Sequence, residues 1–149
     1  MRMNKLEMTE AIMAAKIEKK ASWADISQAT GLSEIFVTSA CLGQNSLEAE
    51  AAEKLGTFLG LGDDVVGCIQ VYPMKATGVE SVAKDPLIYR FFEIAYVYGG
   101  SLKEIIHEKF GDGIMSAIDF TMDVEKVEDP KGDRVKVVMN GKFLPYKKW

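Results

Sequence analysis

Two charges stand inside a stretch of sequence that is otherwise greasy. Residues 87–98 read Leu-Ile-Tyr-Arg-Phe-Phe-Glu-Ile-Ala-Tyr-Val-Tyr, and ten of the twelve are apolar or aromatic. They occupy every face of a helix, and a helix apolar all round is expected to be buried all round. Its two charges, Arg90 and Glu93, are three residues apart, so they share a face and can touch. Burying a charge costs on the order of several kcal/mol, and a partner offsets this only in good geometry. Two readings stay open at this point. The pair is a structural ion pair that sets register, or Arg90 is a guanidinium held in a low-dielectric pocket to bind an anion, with Glu93 fixing it.

Ser116 is the third residue with chemistry to offer. It is the one polar residue on the face Ile114, Ser116, Ile118 and Phe120. Gly111-Asp112-Gly113 just before it is a turn that could expose backbone N–H groups as an anion nest. The plainer alternative is a serine that caps a neighbouring backbone group. A serine hydrolase built from Ser116, His107 and Asp112 is a rival enzyme reading, but Ile-Met-Ser-Ala-Ile lacks the Gly-x-Ser-x-Gly elbow. His107, the only histidine, reads as a structural hydrogen-bonding residue on an amphipathic helix. Cys41 and Cys68 fit no zinc or redox spacing and read as buried thiols. No metal site is expected from such a set.

The elements that must position these residues come in two groups. Residues 1–73 carry helical periodicity and helix punctuation. The first helix spans 5–20, with Met8, Ile12, Met13 and Ile17 on one stripe. Ser22 with Asp25 opens a second helix as a capping box, and Gly31 ends it. Ser33 opens a third that Gly43 ends, Ser46 opens a fourth that runs to about Gly60, and Asp63 or Asp64 opens a fifth that Pro73 must terminate. Residues 74–84 show no period and read as a linker. In residues 85–149, Asp85-Pro86 starts a helix that Gly99-Gly100 stops, and Ser101 with Glu104 caps another that runs to Phe110.

Beyond Gly113 the period becomes 2. Ile114, Ser116, Ile118, Phe120, Met122 and Val124 fall on one face of a strand. Asp129-Pro130-Lys131-Gly132 is a turn, residues 134–139 are a second strand, and Asn140-Gly141 reads as a hairpin turn leading into Phe143-Leu144. Helices followed by strands make an α+β fold. So few strands are not self-sufficient, and their open edges predict an oligomer.

Charge narrows the function classes. The net charge is −4 over 149 residues. Residues 22–42 look like the helix-turn-helix of repressor-like domains, which suggests a DNA-binding regulator. Yet from Ser22 to Glu53 there is no Lys or Arg, while Asp25, Glu34, Glu48, Glu50 and Glu53 are all acidic. Duplex binding needs phosphate-neutralising cations, so the fold is read as a scaffold, with no nucleic-acid partner. No signal peptide and no apolar run of about 20 residues is apparent, which predicts a cytoplasmic protein without a membrane partner.

The run Asp85-Pro86-Leu87-Ile88-Tyr89-Arg90-Phe91-Phe92-Glu93, then Val97-Tyr98-Gly99, His107-Glu108-Lys109-Phe110-Gly111-Asp112-Gly113-Ile114 and Ser116-Ala117-Ile118, resembles the C-terminal signature of the cyanases. Gly31-Leu32, Phe36-Val37-Thr38 and Leu42-Gly43-Gln44 are similar to that family's helical N-terminal domain, and Gly141-Lys142 with Leu144-Pro145 to its C-terminal end. Phe92 stands where the family often has Tyr, and Asp119 where Asn is common.

The resemblance implies an enzyme that converts cyanate and bicarbonate to ammonia and carbon dioxide. It implies Arg90, Glu93 and Ser116 as catalytic residues, bicarbonate as co-substrate, and no cofactor. It further implies a homodecamer of five dimers, in which the small C-terminal domain intertwines with a partner subunit and the sites lie between subunits.

Overall fold

The structure, a computed structural model, describes residues 3–74 and 84–149. The linker expected over 74–84 therefore lies outside the described residues, apart from its two end positions. The chain forms two compact units, residues 1–76 and 77–149.

Among its described residues, the first unit holds five helices. α1 (Lys5–Glu18) begins at Asn4, whose side chain accepts the Leu6 and Glu7 N–H groups while Glu7 accepts the Asn4 N–H in return. α2 (Trp23–Thr30) carries the expected Ser22/Asp25 capping box and ends at Gly31 with φ of 75°. α3 (Glu34–Cys41) is capped by Ser33.

α4 (Ala49–Leu59) starts later than Ser46 suggested. Leu47 is buried and its N–H donates to the Ile69 carbonyl at 3.2 Å, so the chain is still extended there. α5 (Asp63–Gln70) ends well before Pro73. Met8, Ile12, Ile26, Val37, Leu55 and Ile69 form the centre of the core. Each such side chain contributes about 1.5–3 kcal/mol relative to an exposed one. Ile17 does not join them: α1 stops at Glu18, short of the expected Lys20, and Ile17 lies exposed.

Among its described residues, the second unit has one helix and one hairpin. α6 (Pro86–Phe110) starts as expected, with Asp85 accepting the Leu87 and Ile88 N–H groups and Pro86 in the first turn. It does not stop at Gly99-Gly100, and Ser101 opens no second helix. Each glycine costs about 1 kcal/mol in a helix interior, but neither takes the positive φ that would end it. The end comes at Gly111, with φ of 92°.

β1 (Gly113–Val127) and β2 (Arg134–Pro145) pair antiparallel. The turn lies at Asp129–Gly132, where Asp129 accepts the Lys131 N–H on its side chain and the Gly132 N–H on its carbonyl. Asn140-Gly141 is not a turn. It lies inside β2, with Asn140 opposite Thr121 and Gly141 opposite Phe120. The described part of the unit is thus a helix with a two-stranded sheet, and the fold is α+β.

Candidate active site

Arg90 and Glu93 lie one turn apart near the start of α6, and the guanidinium Nη1 donates to the Glu93 carboxylate at 3.1 Å. Tyr89 adds its ring, 5.8 Å from the Arg90 guanidinium carbon. The i,i+3 spacing therefore delivers the contact that the sequence implied.

The expected burial is not found within one chain. Arg90 is 61% exposed and Glu93 50%, and α6 has no buried residue at all. Leu87, Phe91, Ile94, Tyr96, Val97 and Tyr98 are all bare. The reason is a shortage of neighbours. Among the described residues the unit has a hairpin besides the helix, and a ring contact between them, Phe110 with Phe143 at 5.2 Å, is at the far end of α6. By helix rise, Arg90 stands about 30 Å up the axis from Phe110.

Ser116 is placed by an irregularity in the sheet. Met115 pairs with Phe143, and the next register pair is Phe120 with Gly141. Four residues of β1, 116–119, therefore stand opposite Lys142 alone. This bulge breaks the strict alternation expected along β1, so the six residues from Ile114 to Val124 do not form one buried face; Ile118 is 98% exposed. Ser116 closes the bulge. Its Oγ accepts the Ile118 N–H and the Asp119 N–H, each at 3.0 Å, and the residue is only 6% exposed. Two accepted bonds fill the oxygen's lone pairs, leaving the O–H free to donate.

The Gly111-Asp112-Gly113 turn does not form the expected nest. The Gly111 N–H already donates to the His107 carbonyl, and its backbone (φ 92°, ψ −171°) is extended rather than left-handed helical in ψ. The Asp112 carbonyl instead accepts the Tyr146 N–H at 3.0 Å, tying the strand ends together. His107, Asp112, Lys103 and Tyr146 line an open cavity of about 390 Å³ that none of Arg90, Glu93 and Ser116 lines. Among the described residues no hydrogen bond engages the His107 imidazole, and none joins Ser116 to His107, Asp112, Arg90 or Glu93.

Cys41 and Cys68 are both buried free thiols, as expected; burial pushes the Cys41 thiol up to about 12. Among the described residues no cluster of His, Cys, Asp and Glu is arranged to hold a metal ion.

The bulge at 116–119 and the place of Gly141 beside it, opposite Phe120, escaped the sequence reading. The available signal was a glycine inside a strand pattern, which marks a bulge or a close backbone approach as readily as a turn.

Two family profiles match the chain. One, described as "Cyanate hydratase, N-terminal", covers residues 5–73, and the other, "Cyanate lyase C-terminal domain", covers residues 80–148. A cyanate hydratase from Marinomonas sp. (strain MWYL1) is 56% identical over 147 residues, covering 99% of this chain and 100% of the relative. One from Synechococcus sp. (strain CC9311) is 57% identical over 142 residues, covering 95% of each. The crystal structure of cyanase from T. urticae is similar with a TM-score of 0.84 at 38% identity, covering 93% of this chain and 96% of that one.

Proposed function

The chain belongs to the cyanate hydratase family and is a lyase, and we propose that it decomposes cyanate with bicarbonate as co-substrate, using Arg90 and Ser116 to hold the two anions and Glu93 to orient Arg90. The observation that carries this reading is the guanidinium–carboxylate contact at 3.1 Å in a stretch of α6, residues 87–98, that is otherwise apolar. A surface ion pair contributes little to stability, so stability alone does not account for its place there.

Cyanate and bicarbonate repel each other. A fixed guanidinium offsets that repulsion, and its planar fork suits a pair of bicarbonate oxygens. Ser116 adds a neutral donor, because its oxygen already accepts two N–H groups. Holding both reactants in place removes several kcal/mol of the barrier, in order of magnitude.

A bicarbonate oxygen attacks the cyanate carbon, and the bicarbonate proton passes to nitrogen. The mixed anhydride then breaks between its bridging oxygen and the bicarbonate carbon, releasing carbon dioxide. The bridging oxygen stays on the former cyanate carbon, and one proton from water completes carbamate. A second proton lets carbamate fall apart to ammonia and carbon dioxide. In sum, cyanate, bicarbonate and two protons give one ammonia and two carbon dioxide. No electrons are transferred, and the scheme calls on no cofactor.

Burial of Arg90 comes from further copies of the chain in this reading. The bare apolar surface of α6 and the two open edges of the β1–β2 sheet are what such copies cover. A homodecamer of five dimers, with sites between subunits, fits that requirement. Among the described residues no helix is long and apolar enough to cross a membrane, and a cytoplasmic location fits the composition.

The test is ammonia release from cyanate with and without added bicarbonate in carbonate-free buffer, run with oxygen-18 bicarbonate. Strict dependence on bicarbonate, with label in the carbon dioxide derived from cyanate carbon, is the expected result. Release that continues undiminished without bicarbonate would mean that water is the attacking group.

A further inference from the structure

We propose that Gly141 is a positioning residue for the Ser116 hydroxyl, an inference that rests on the anion-site reading of Ser116 given above. Gly141 does not have a positive φ, so its lack of a side chain does not serve backbone freedom. It serves space. A Cβ at position 141 would stand 2.3 Å from the Ser116 carbonyl oxygen and 2.5 Å from Met115 Cγ.

These two neighbours differ in how they can yield. Met115 is a flexible side chain that can swing away. The Ser116 carbonyl is backbone, fixed by the bulge whose amides bond to the Ser116 Oγ. It moves only if the Ser116 peptide moves, and that tilts the Cα–Cβ bond carrying the hydroxyl. The register agrees with this role. Gly141 is the first β2 residue paired beyond the bulge, opposite Phe120, so it marks where the four-against-one stretch closes. The glycine thus lets β2 press against the peptide of Ser116 and hold its O–H in one direction.

A hydroxyl displaced by about 1 Å costs on the order of 100-fold in rate when it positions a reactant. The experiment compares kcat and KM for both substrates in wild type, Met115→Ala, Gly141→Ala, Met115→Ala/Gly141→Ala, Ser116→Ala and Ser116→Ala/Gly141→Ala, with assembled size measured for each. The Met115→Ala background removes the side-chain half of the clash, so that the backbone half is tested even where Gly141→Ala alone does not assemble.

Gly141→Ala is expected to lower kcat/KM about 100-fold in the wild-type and Met115→Ala backgrounds. In the Ser116→Ala background it is expected to change kcat/KM by no more than about twofold, because the group it positions is gone. Equal losses with and without Ser116 would overturn the positioning role alone. So would wild-type kcat/KM in Met115→Ala/Gly141→Ala, or failure of all three proteins carrying Gly141→Ala to assemble, which would make the glycine a folding requirement. Undiminished turnover by Ser116→Ala would instead overturn the site reading beneath it.

Discussion

The Ser116 hydroxyl oxygen accepts the Asp119 N–H at 3.0 Å, inside a bulge that the same oxygen closes through a second bond to the Ile118 N–H. An oxygen engaged in this way has no lone pair left to attack a carbon. It remains a donor. Ser116→Ala is therefore expected to lower kcat by about 100- to 1,000-fold, the usual cost of losing one preorganised donor. A serine-directed phosphonate is expected to leave wild-type activity intact. Stoichiometric phosphonylation of Ser116 with loss of activity would identify a nucleophile instead.

Glu93 acts through Arg90 in this account. The pair is half exposed in a single chain, so Glu93→Gln is expected to leave the fold of each chain intact. Its effect should fall on substrate capture: KM for bicarbonate rises while kcat changes less. A collapsed kcat with unchanged KM would mark Glu93 as a proton-transfer group.

Cys41 offers a check on the helical unit. Burial pushes its thiol up from 9.0 to about 12, because the thiolate is disfavoured in the core. The folded state therefore prefers the neutral thiol. Its contribution to stability is whole below pH 9 and is lost as the pH rises from there toward 12. In native protein at pH 8, a thiol reagent is expected to leave Cys41 unlabelled, with rapid labelling in denaturant. Fast native-state labelling would show that the core around Met8, Ile12 and Val37 opens readily.

Much of the fold was legible because its signals are local. Ser22 with Asp25, Gly31 and Asp85-Pro86 each fix a helix end through groups within four residues of one another. The Arg90–Glu93 contact was legible for the same reason. The misreadings came where a distant segment decides. Gly99-Gly100 looked like a stop, but nothing in the local backbone requires a left-handed turn there. Asn140-Gly141 looked like a hairpin turn, yet the glycine is needed because the Ser116 peptide, 25 positions away, lies against it. The face assigned to Ser116 assumed unbroken alternation, and only the pairing of β1 with β2 reveals the bulge. The burial expected of α6 from its apolar run is not found in one chain, where no residue of the helix is buried.

The central claim is that the Arg90 guanidinium provides the positive charge at which two small anions meet. The most direct measurement is cyanate-dependent ammonia release by Arg90→Ala, made on protein whose assembled mass matches the wild type. The account predicts that turnover vanishes while assembly persists. Near-normal turnover by the assembled variant would contradict it.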